Sequence, residues 1–551
     1  MTSRSLPILL TAFVLSCAPA AAPPPRVEPP RPQFAPAGVA RRVVLLSFDG
    51  LGADALARQK NLPAFEQLAR EGASARIINV NPTLTGPTHV SILTGADPQR
   101  TGIVSNRFHL PGTPPGQETR AMNVDPDVET LAEAARRQGK RVGAISFPTI
   151  DNQSPRRGAD FGLAWGTPVV PARLVTLTRD DFRREWVPPT WTERPQRRRS
   201  FSPIMRARVE WSVPRVTRTD VDVVAYDTTD DRTANYDTYF VETGERELDA
   251  RTWFPISQRT SSGLHGSWSK VTHTTPSLDV TIYWGPISRN QAWPEAFRDL
   301  LDEHAGFWPG APEEELAVEP GLFIEQMERL AAFYTRAQTL AIERVPFDLL
   351  LAYQPQIDQA SHQYLGTPDA DRVIGAAFAA ADRGLSAITD ALEPSDALVV
   401  TGDHGLVAVE REVLMNRLLG EHGFAPRWRA FTSGSVAQLY RSSAPDDTDA
   451  VVKMLTATGH FERIEKKSAT SHRNSGDITA TAYPNVALSS KDEPEHPRAH
   501  HGALNTHREL HPVLFAYGTG VAPGPLGEIA QTRIARYVAG LLGITPPAAA
   551  E

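Results

Sequence analysis

The chain has 551 residues, of which 41% are hydrophobic and 22% are charged, and its formal net charge is −7. These values are typical of a globular protein with a large core, and the length allows two to four domains. So mild a charge excludes a general binder of polyanions, and we expect no nucleic acid polymer as a partner.

The N-terminal segment predicts export. One arginine precedes an apolar stretch from Leu6 to Leu15, which is too short to span a bilayer. The stretch is followed by Cys17, the only cysteine, in a sequence that resembles a bacterial lipoprotein processing site. We interpret residues 1–16 as a signal peptide and Cys17 as the lipidated N-terminus of a cell-envelope protein, its one contact with a membrane. The alternative is a plain secretory signal cleaved just after Cys17, which would give a periplasmic or secreted protein.

The next segments predict a tether and then an α/β core. Residues 17–38 are rich in proline and cannot form a packed core, so we interpret them as the tether. Over residues 39–170, apolar runs such as 41–48 and 140–147 alternate with helical spacing. The alternation returns over residues 321–546. This pattern predicts a three-layer α/β/α core with a mainly parallel sheet, formed by two parts of the chain.

Residues 171–320 break this pattern. The segments 221–226 and 279–284 are typical of antiparallel strands, and eight of the ten tryptophans fall between Trp186 and Trp308. We interpret this region as an inserted β-rich cap that shapes the choice of substrate and carries none of the chemistry.

Carboxylates and histidines follow the predicted core strands, where the reacting groups of open α/β sheets collect. Asp358 and His362 are four residues apart, so one helical turn would place both on the same face. Singly, such residues are often helix caps or surface groups, but three of each at strand ends favour a metal site that suits zinc, with manganese as the alternative. The full set is Asp49, Asp358, His362, Asp403, His404 and His501.

Thr85 is the candidate nucleophile. Pro87 is typical of a first helical turn and Gly95 of a helix end, which predicts Thr85 just ahead of a helix N-terminus. Backbone N–H groups at that position favour a phosphate or an alkoxide, and coordination to a metal can deprotonate the hydroxyl. The alternative is that Thr85 serves only as an N-cap.

Together these motifs resemble the alkaline phosphatase superfamily, and within it the type I phosphodiesterase/nucleotide pyrophosphatase branch. In family order they are SFDG, PTLTGPTHVSILTG, TGIVSN, the FP of AISFP, DQASH, TGDHG and HHGALN. The resemblance implies an alkaline phosphatase-like fold and two metal ions. One zinc would be held by Asp358, His362 and His501, and the other by Asp49, Asp403, His404 and the oxygen of Thr85.

The implied activity is hydrolysis of small phosphate diesters through a phosphothreonine intermediate. Asn106 occupies the position that donates a hydrogen bond to the phosphoryl group in this family, and we expect the backbone N–H after Thr85 to assist it. Phe147-Pro148 matches the aromatic-Pro of the diesterase branch. Gly86, however, stands where nucleotide-hydrolysing members carry an aromatic residue that stacks on the base, so the resemblance does not extend to a preference for nucleotides.

Three alternatives stay open. A phosphomonoesterase on the same scaffold would need another cation, for which Arg156 or Arg157 are the candidates. A non-catalytic envelope binding protein would be expected to have lost a metal ligand or the nucleophile, and neither is lost. Sulfate esters would call for a modified Cys or Ser nucleophile, and no cysteine lies near the motifs. The sequence leaves the oligomeric state open.

Overall fold

The structure is a computed structural model. It describes residues 34–114, 116–184, 200–243, 246–312 and 319–550. The predicted signal peptide, Cys17 and most of the predicted tether lie outside these ranges. Within them, no helix combines the length and the apolar character that crossing a membrane requires.

The first part of the chain alternates strands and helices. Its strands are β1 (Val43–Phe48), β2 (Ala73–Ile78), β3 (Arg107–Phe108), β4 (Thr119–Arg120), β5 (Val142–Ile145) and β6 (Phe161–Leu163). Its helices are α1 (Ala53–Ala57), α2 (Pro63–Glu71), α3 (Thr85–Thr94), α4 (Pro98–Thr101) and α5 (Leu131–Arg137). Every residue of β1 is buried, which explains its nearly continuous apolar sequence.

The middle of the chain is rich in strands. They are β7 (Arg173–Leu177), β8 (Arg183–Arg184), β9 (Met205–Val213), β10 (Thr217–Tyr226), β11 (Thr238–Thr243), β12 (Arg246–Asp249), β13 (Phe254–Thr260), β14 (Gly263–Thr274), β15 (Val280–Trp284), β16 (Ser288–Arg289) and β17 (Ala292–Trp293). β8 to β12 form one sheet, and β7 with β13 to β16 form a second. The two sheets share an apolar cluster that contains Trp211 and Phe254, so this region has a core of its own.

The end of the predicted cap belongs to the main body of the protein. β17 pairs with β6 in the central sheet. The following helix, α6 (Glu295–His304), buries Phe297 and Leu301 in the largest apolar cluster, which also contains β1 residues. The sandwich formed by the two sheets of β7 to β16 therefore ends near β16.

The last part of the chain returns to the core. Its helices are α7 (Pro320–Arg344), α8 (Gln356–Tyr364), α9 (Ala370–Ala391), α10 (Met415–Glu421), α11 (Thr448–Thr458) and α12 (Arg533–Leu541). Its strands are β18 (Leu349–Gln354), β19 (Ala397–Gly402), β20 (Val407–Ala408), β21 (Arg411–Leu414), β22 (Trp428–Ser433), β23 (Val436–Arg441), β24 (Phe461–Lys466), β25 (Ile478–Ala482), β26 (Val486–Ser489), β27 (Ala499–His500), β28 (Val513–Gly518) and β29 (Gly524–Ala530). β22 to β25 form a four-stranded sheet with a separate apolar cluster, which our sequence analysis did not distinguish from the core.

The central sheet has nine strands in the order β17-β6-β5-β18-β1-β19-β28-β2-β29. Only β17 and β28 run against the common direction. On β1, Val44 and Leu46 face a cluster shared with α2, α7 and α9, whereas Val43 and Leu45 face one shared with α3, α5 and α12. The predicted three-layer α/β core is thus confirmed. Because β18, β1 and β19 are parallel neighbours, their carboxyl ends meet at one edge of the sheet.

Candidate active site

The first group of candidate ligands lies at the ends of β1 and β19. Asp49, Asp403 and His404 each present one potential ligand atom within 4.8 Å of the other two. His404 Nε2 lies 3.0 Å from Asp403 Oδ2 and 3.5 Å from Asp49 Oδ1. The Gly50 N–H donates to Asp403 Oδ1 over 3.0 Å and so joins the ends of the two strands. All three ligand side chains are buried.

The second group combines α8 with the segment after β27. The Nε2 atoms of His362 and His501 lie 3.4 Å and 4.0 Å from Asp358 Oδ1. Nδ1 of His362 contacts the Ala499 carbonyl at 2.8 Å, and Nδ1 of His501 contacts the Thr83 carbonyl at 2.9 Å. Because a carbonyl oxygen only accepts, each Nδ1 carries the proton and each Nε2 has the lone pair that can bind a metal ion.

Tyr353 is a residue of the site that the sequence analysis missed. Its hydroxyl donates to Asp49 Oδ2 over 2.5 Å. This hydrogen bond leaves Oδ1 of Asp49 buried and without a hydrogen-bond partner among the described residues. The feature of the sequence that could have identified Tyr353 is its position near the carboxyl end of β18, the strand next to the one that Asp49 follows.

The electrostatics of these groups suit cations. Burial, together with the charges of Asp358 and Asp403, raises the pKa of Asp49 well above its usual range. Burial also raises the pKa of Asp403 to about 8 and lowers that of His404 well below its usual value. Asp49 Oδ1 and Asp358 Oδ1 are both buried without a hydrogen-bond partner in the described part of the chain. Crowded carboxylates with neutral imidazoles are a donor set that fits divalent metal ions.

Thr85 is the first residue of α3, and its side chain faces the first group. Its Oγ1 lies 3.1 Å from His404 Nε2. The N-cap of this helix is Leu84, so the alternative interpretation of Thr85 as the cap is wrong. A hydroxyl at this position lies beside the unsatisfied N–H groups of the first helical turn.

Asn106 is held against the peptide that follows Thr85. The Gly86 N–H donates to Asn106 Oδ1 over 2.7 Å, which identifies that atom as the oxygen and leaves the Nδ2 group as a donor. In this structure the N–H thus bonds Asn106, and its contact with the phosphoryl group stays a prediction. A Cβ atom at Gly86 would lie 2.6 Å from Ala121 Cβ and 3.0 Å from Asn106 Oδ1. The enclosure leaves no room for an aromatic residue at this position.

The two arginines considered for a monoesterase are engaged elsewhere. Arg156 Nη1 donates to the Pro126 carbonyl over 2.7 Å. Arg157 Nε lies 3.3 Å from a carboxylate oxygen of Asp125 and 3.2 Å from one of Asp151. Both arginines thus hold the loops around them, and the sequence did not reveal these partners.

A model of the type I phosphodiesterase / nucleotide pyrophosphatase family matches residues 43–504. The chain belongs to this family. The matched range contains every predicted metal ligand, Thr85 and Asn106, and the resemblance seen in the sequence is confirmed.

The individual relatives of this family member are distant from it in sequence. Bis(5'-adenosyl)-triphosphatase enpp4 of Xenopus laevis is 33% identical over 117 residues, a match that covers 20% of this chain and 25% of that protein. The murine and human ectonucleotide pyrophosphatase / phosphodiesterase 5 structures each match with a TM-score of 0.51 over 92% of this chain and 96% of theirs. They are 14% and 15% identical to it, so this likeness shows the fold alone.

Trp165 gives this family member an aromatic surface beside the site. It follows β6, and its side chain is 39% exposed. Its ring centroid lies 5.9 Å from that of Tyr353, which contacts Asp49, and 6.0 Å from that of Tyr334. The sequence analysis missed Trp165, because it lies outside the quoted motifs and just ahead of the predicted cap.

Proposed function

We propose that this protein hydrolyses small phosphate diesters with two divalent metal ions, by way of a phosphothreonine at Thr85. The observation that carries the proposal is the position of the Thr85 hydroxyl at the N-terminus of α3, in contact with one of two groups of potential metal ligands. The two groups are adjacent, since the rings of His404 and His501 stack with centroids 3.5 Å apart. Membership of a phosphodiesterase family supports the same type of reaction.

The donor atoms suggest how the ions would be held. Imidazole nitrogens mixed with carboxylate oxygens suit zinc, and manganese is the alternative. When bound, the ions supply positive charge that favours the Thr85 alkoxide and offsets the charge of the transferred group. One ion would be held by Asp49, Asp403, His404 and the Thr85 oxygen, and the other by Asp358, His362 and His501.

The side chains then divide the reaction between them. Thr85 Oγ1 loses its proton and attacks phosphorus, and the bond between phosphorus and the leaving oxygen breaks. The leaving alkoxide takes up a proton and departs as an alcohol, which balances the proton that Thr85 lost. Asn106 donates a hydrogen bond from Nδ2 to a non-bridging oxygen as the charge there is redistributed. Water then attacks the phosphothreonine, which breaks the bond between Oγ1 and phosphorus, returns the threonine hydroxyl and releases a phosphate monoester.

Thr85→Ala tests the nucleophile directly. We expect a loss of at least several orders of magnitude in turnover, with folding and metal content preserved. Ser91→Ala is the matched control, because Ser91 lies in the same helix and its buried hydroxyl has no hydrogen-bond partner in the described part of the chain. If Thr85→Ala turns over as fast as Ser91→Ala, the phosphothreonine route is excluded. Tight binding of a diester without any turnover by the wild type would favour the binding-protein alternative.

Metal dependence has its own test. A strong chelator is expected to abolish hydrolysis, and zinc or manganese added back in separate samples should identify the ion that restores it. Full activity in protein shown to be free of metal would contradict the proposal.

The preference for diesters rests on charge. A diester brings one negative charge to the site, whereas a monoester dianion needs a further cation, and Arg156 and Arg157 are bound elsewhere. We expect the diester to be favoured by about 10²-fold or more in kcat/KM over a monoester with the same leaving group. Equal or faster turnover of the monoester would support the phosphatase alternative. The panel should include a nucleotide diester, because the inactive murine neighbour forms a complex with AMP, which is a reason to test nucleotides.

We also propose that the protein works in the cell envelope, anchored through a lipidated Cys17 and the tether of residues 17–38. Expression with a labelled fatty acid is expected to label the wild type in the membrane fraction and to leave Cys17→Ala unlabelled. Label retained by Cys17→Ala would contradict this anchor.

A further inference from the structure

His89 lies directly behind Thr85, and no step of the proposed reaction uses it. It follows Thr85 by one turn of α3, and its side chain is completely buried. Its Nδ1 lies 2.9 Å from the Thr85 carbonyl oxygen and 3.4 Å from Asp403 Oδ2. Its Nε2 lies 2.9 Å from the hydroxyl of Ser47, which stands on β1 two residues before Asp49.

These contacts define where the protons are. The Thr85 carbonyl can only accept, so His89 Nδ1 must carry a proton to bond it. With Nδ1 protonated in the neutral ring, Nε2 is an acceptor, and the Ser47 hydroxyl is its donor. The Thr85 carbonyl therefore selects the tautomer in which His89 donates to it, and the Ser47 hydroxyl completes the hydrogen bonding of the ring.

The orientation of the ring is also fixed. Phe147 and Tyr353 each meet the His89 ring edge-on, with ring centroids 5.5 Å away. Phe147 is the aromatic residue of the aromatic-Pro motif, and Tyr353 is the residue that donates to Asp49. The imidazole is thus held in place by Ser47 of β1, Tyr353 of β18 and Phe147, which follows β5.

The peptide group between Thr85 and Gly86 is held at both of its polar atoms. Its carbonyl oxygen faces the Nδ1–H of His89, and its N–H donates to Asn106 Oδ1. The Thr88 hydroxyl also contacts this carbonyl oxygen, at 3.2 Å. A peptide group is planar, so these contacts together define its orientation. The direction in which the Thr85 side chain leaves the backbone depends on that plane.

We propose that His89, hydrogen-bonded to Ser47 at Nε2, is a positioning residue that orients the Thr85 hydroxyl for attack and keeps Asn106 in register with it. This inference rests on the proposed role of Thr85 as nucleophile. His89 touches neither substrate nor metal in this role, so its effect should fall on kcat rather than on KM or metal binding.

The test compares two replacements of His89 in the full-length, metal-loaded protein. His89→Leu keeps an apolar group in the space and removes the donor, whereas the side-chain amide of His89→Asn can still donate to the Thr85 carbonyl. We expect His89→Leu to lower kcat by about 10- to 100-fold, with KM and the zinc affinity of the apoprotein within about twofold of wild type. His89→Asn should recover most of this loss, and Ser47→Ala should lower kcat by less than His89→Leu does.

Several results would overturn the proposal. They are a wild-type kcat in His89→Leu, a kcat of His89→Asn as low as that of His89→Leu, and a loss that follows zinc affinity rather than kcat. If His89→Leu does not fold, the other two variants still test the proposal. A role that depends on the donor requires a near-normal kcat in His89→Asn and a reduced kcat in Ser47→Ala.

Thr85→Ala, measured alongside, separates this proposal from the proposed function. An active Thr85→Ala overturns the proposed function, whereas an inactive Thr85→Ala beside a fully active His89→Leu overturns only the role of His89.

Discussion

Gly86→Ala probes the close packing around the peptide that follows Thr85. The added Cβ would lie 2.6 Å from Ala121 Cβ and 3.0 Å from Asn106 Oδ1. Carbon atoms in proteins normally approach no closer than about 3.5 Å, so one of these neighbours has to move. Ala121 is buried and its Cβ is attached directly to the backbone, so the closer contact is relieved only by a shift of the backbone at residue 86 or 121. We therefore expect the hydrogen bond between the Gly86 N–H and Asn106 to be distorted.

The magnitudes indicate which measurement will respond. Overpacking costs about 1–3 kcal/mol, and alanine gains about 1 kcal/mol over glycine in a helix, so the net change in stability should be small. The 2.7 Å hydrogen bond between the Gly86 N–H and Asn106 lies in the site itself. Its distortion moves the donor that faces the phosphoryl group, and misplacement of about 1 Å can cost about 10²-fold in rate. We expect kcat/KM to fall by about 10- to 100-fold with little change in Tm.

A second substitution tests whether the contact with Ala121 causes the loss. Ala121→Gly removes the atom that the new Cβ would strike, so Gly86→Ala combined with Ala121→Gly should recover much of the activity that Gly86→Ala loses. Diester kinetics and thermal unfolding of the two single variants and the double variant complete the cycle. Wild-type kcat/KM in Gly86→Ala, or a double variant no faster than Gly86→Ala alone, would refute the argument.

Three further outcomes follow from the structure. Trp165→Ala should raise KM severalfold for diesters with an aromatic leaving group and leave KM for a methyl ester unchanged, as steady-state kinetics would show; equal effects on both esters would contradict a stacking role. In protein stripped of metal, Tm should fall as the pH rises from about 7.5 to about 8.5, because the pKa of Asp403 is raised by burial to about 8 and the folded carboxyl holds a proton that the unfolded one has lost. Histidines such as His501, whose pKa burial lowers to about 4 from 6.5, are almost fully neutral in both states above about pH 7.5, and the zinc-loaded protein should not show the fall. Arg329 of α7 lies over the rings of two tryptophans of the inserted sandwich, at 4.1 Å and 5.0 Å, so Arg329→Ala should destabilise the protein by about 1–2 kcal/mol in denaturant unfolding while kcat stays unchanged.

Local patterns account for much of what could be predicted. β1 is apolar throughout because both of its faces are covered by helices, and such a strand can be recognised from its own residues. The spacing of Asp358 and His362 requires only one turn of helix, which α8 provides. The helix that begins at Thr85 follows from Pro87 and Gly95 in the same way.

Contacts between distant segments could not be predicted from such patterns. The position of Tyr353 in β18 indicated only that it lies near the site, and Trp165 had no such signal. The packing of neighbouring strands alone brings Tyr353 into contact with Asp49 and Trp165 into contact with Tyr353. The partners of Arg157 are acidic residues in two separate loops, so its exclusion from the site depends on how those loops fold. The four-stranded sheet of β22 to β25 has ordinary strand sequences, and only its separate apolar cluster distinguishes it from the core.

By itself, then, the sequence determined the α/β class, the strand ends that carry Asp49, Asp358 and Asp403, and the helix that presents Thr85, because each depends on residues close together in the chain. The tertiary structure alone decided how tightly Gly86 is enclosed and which atoms His89 contacts. Those features depend on distances between segments far apart in sequence, and a shift of a few tenths of an ångström would change them.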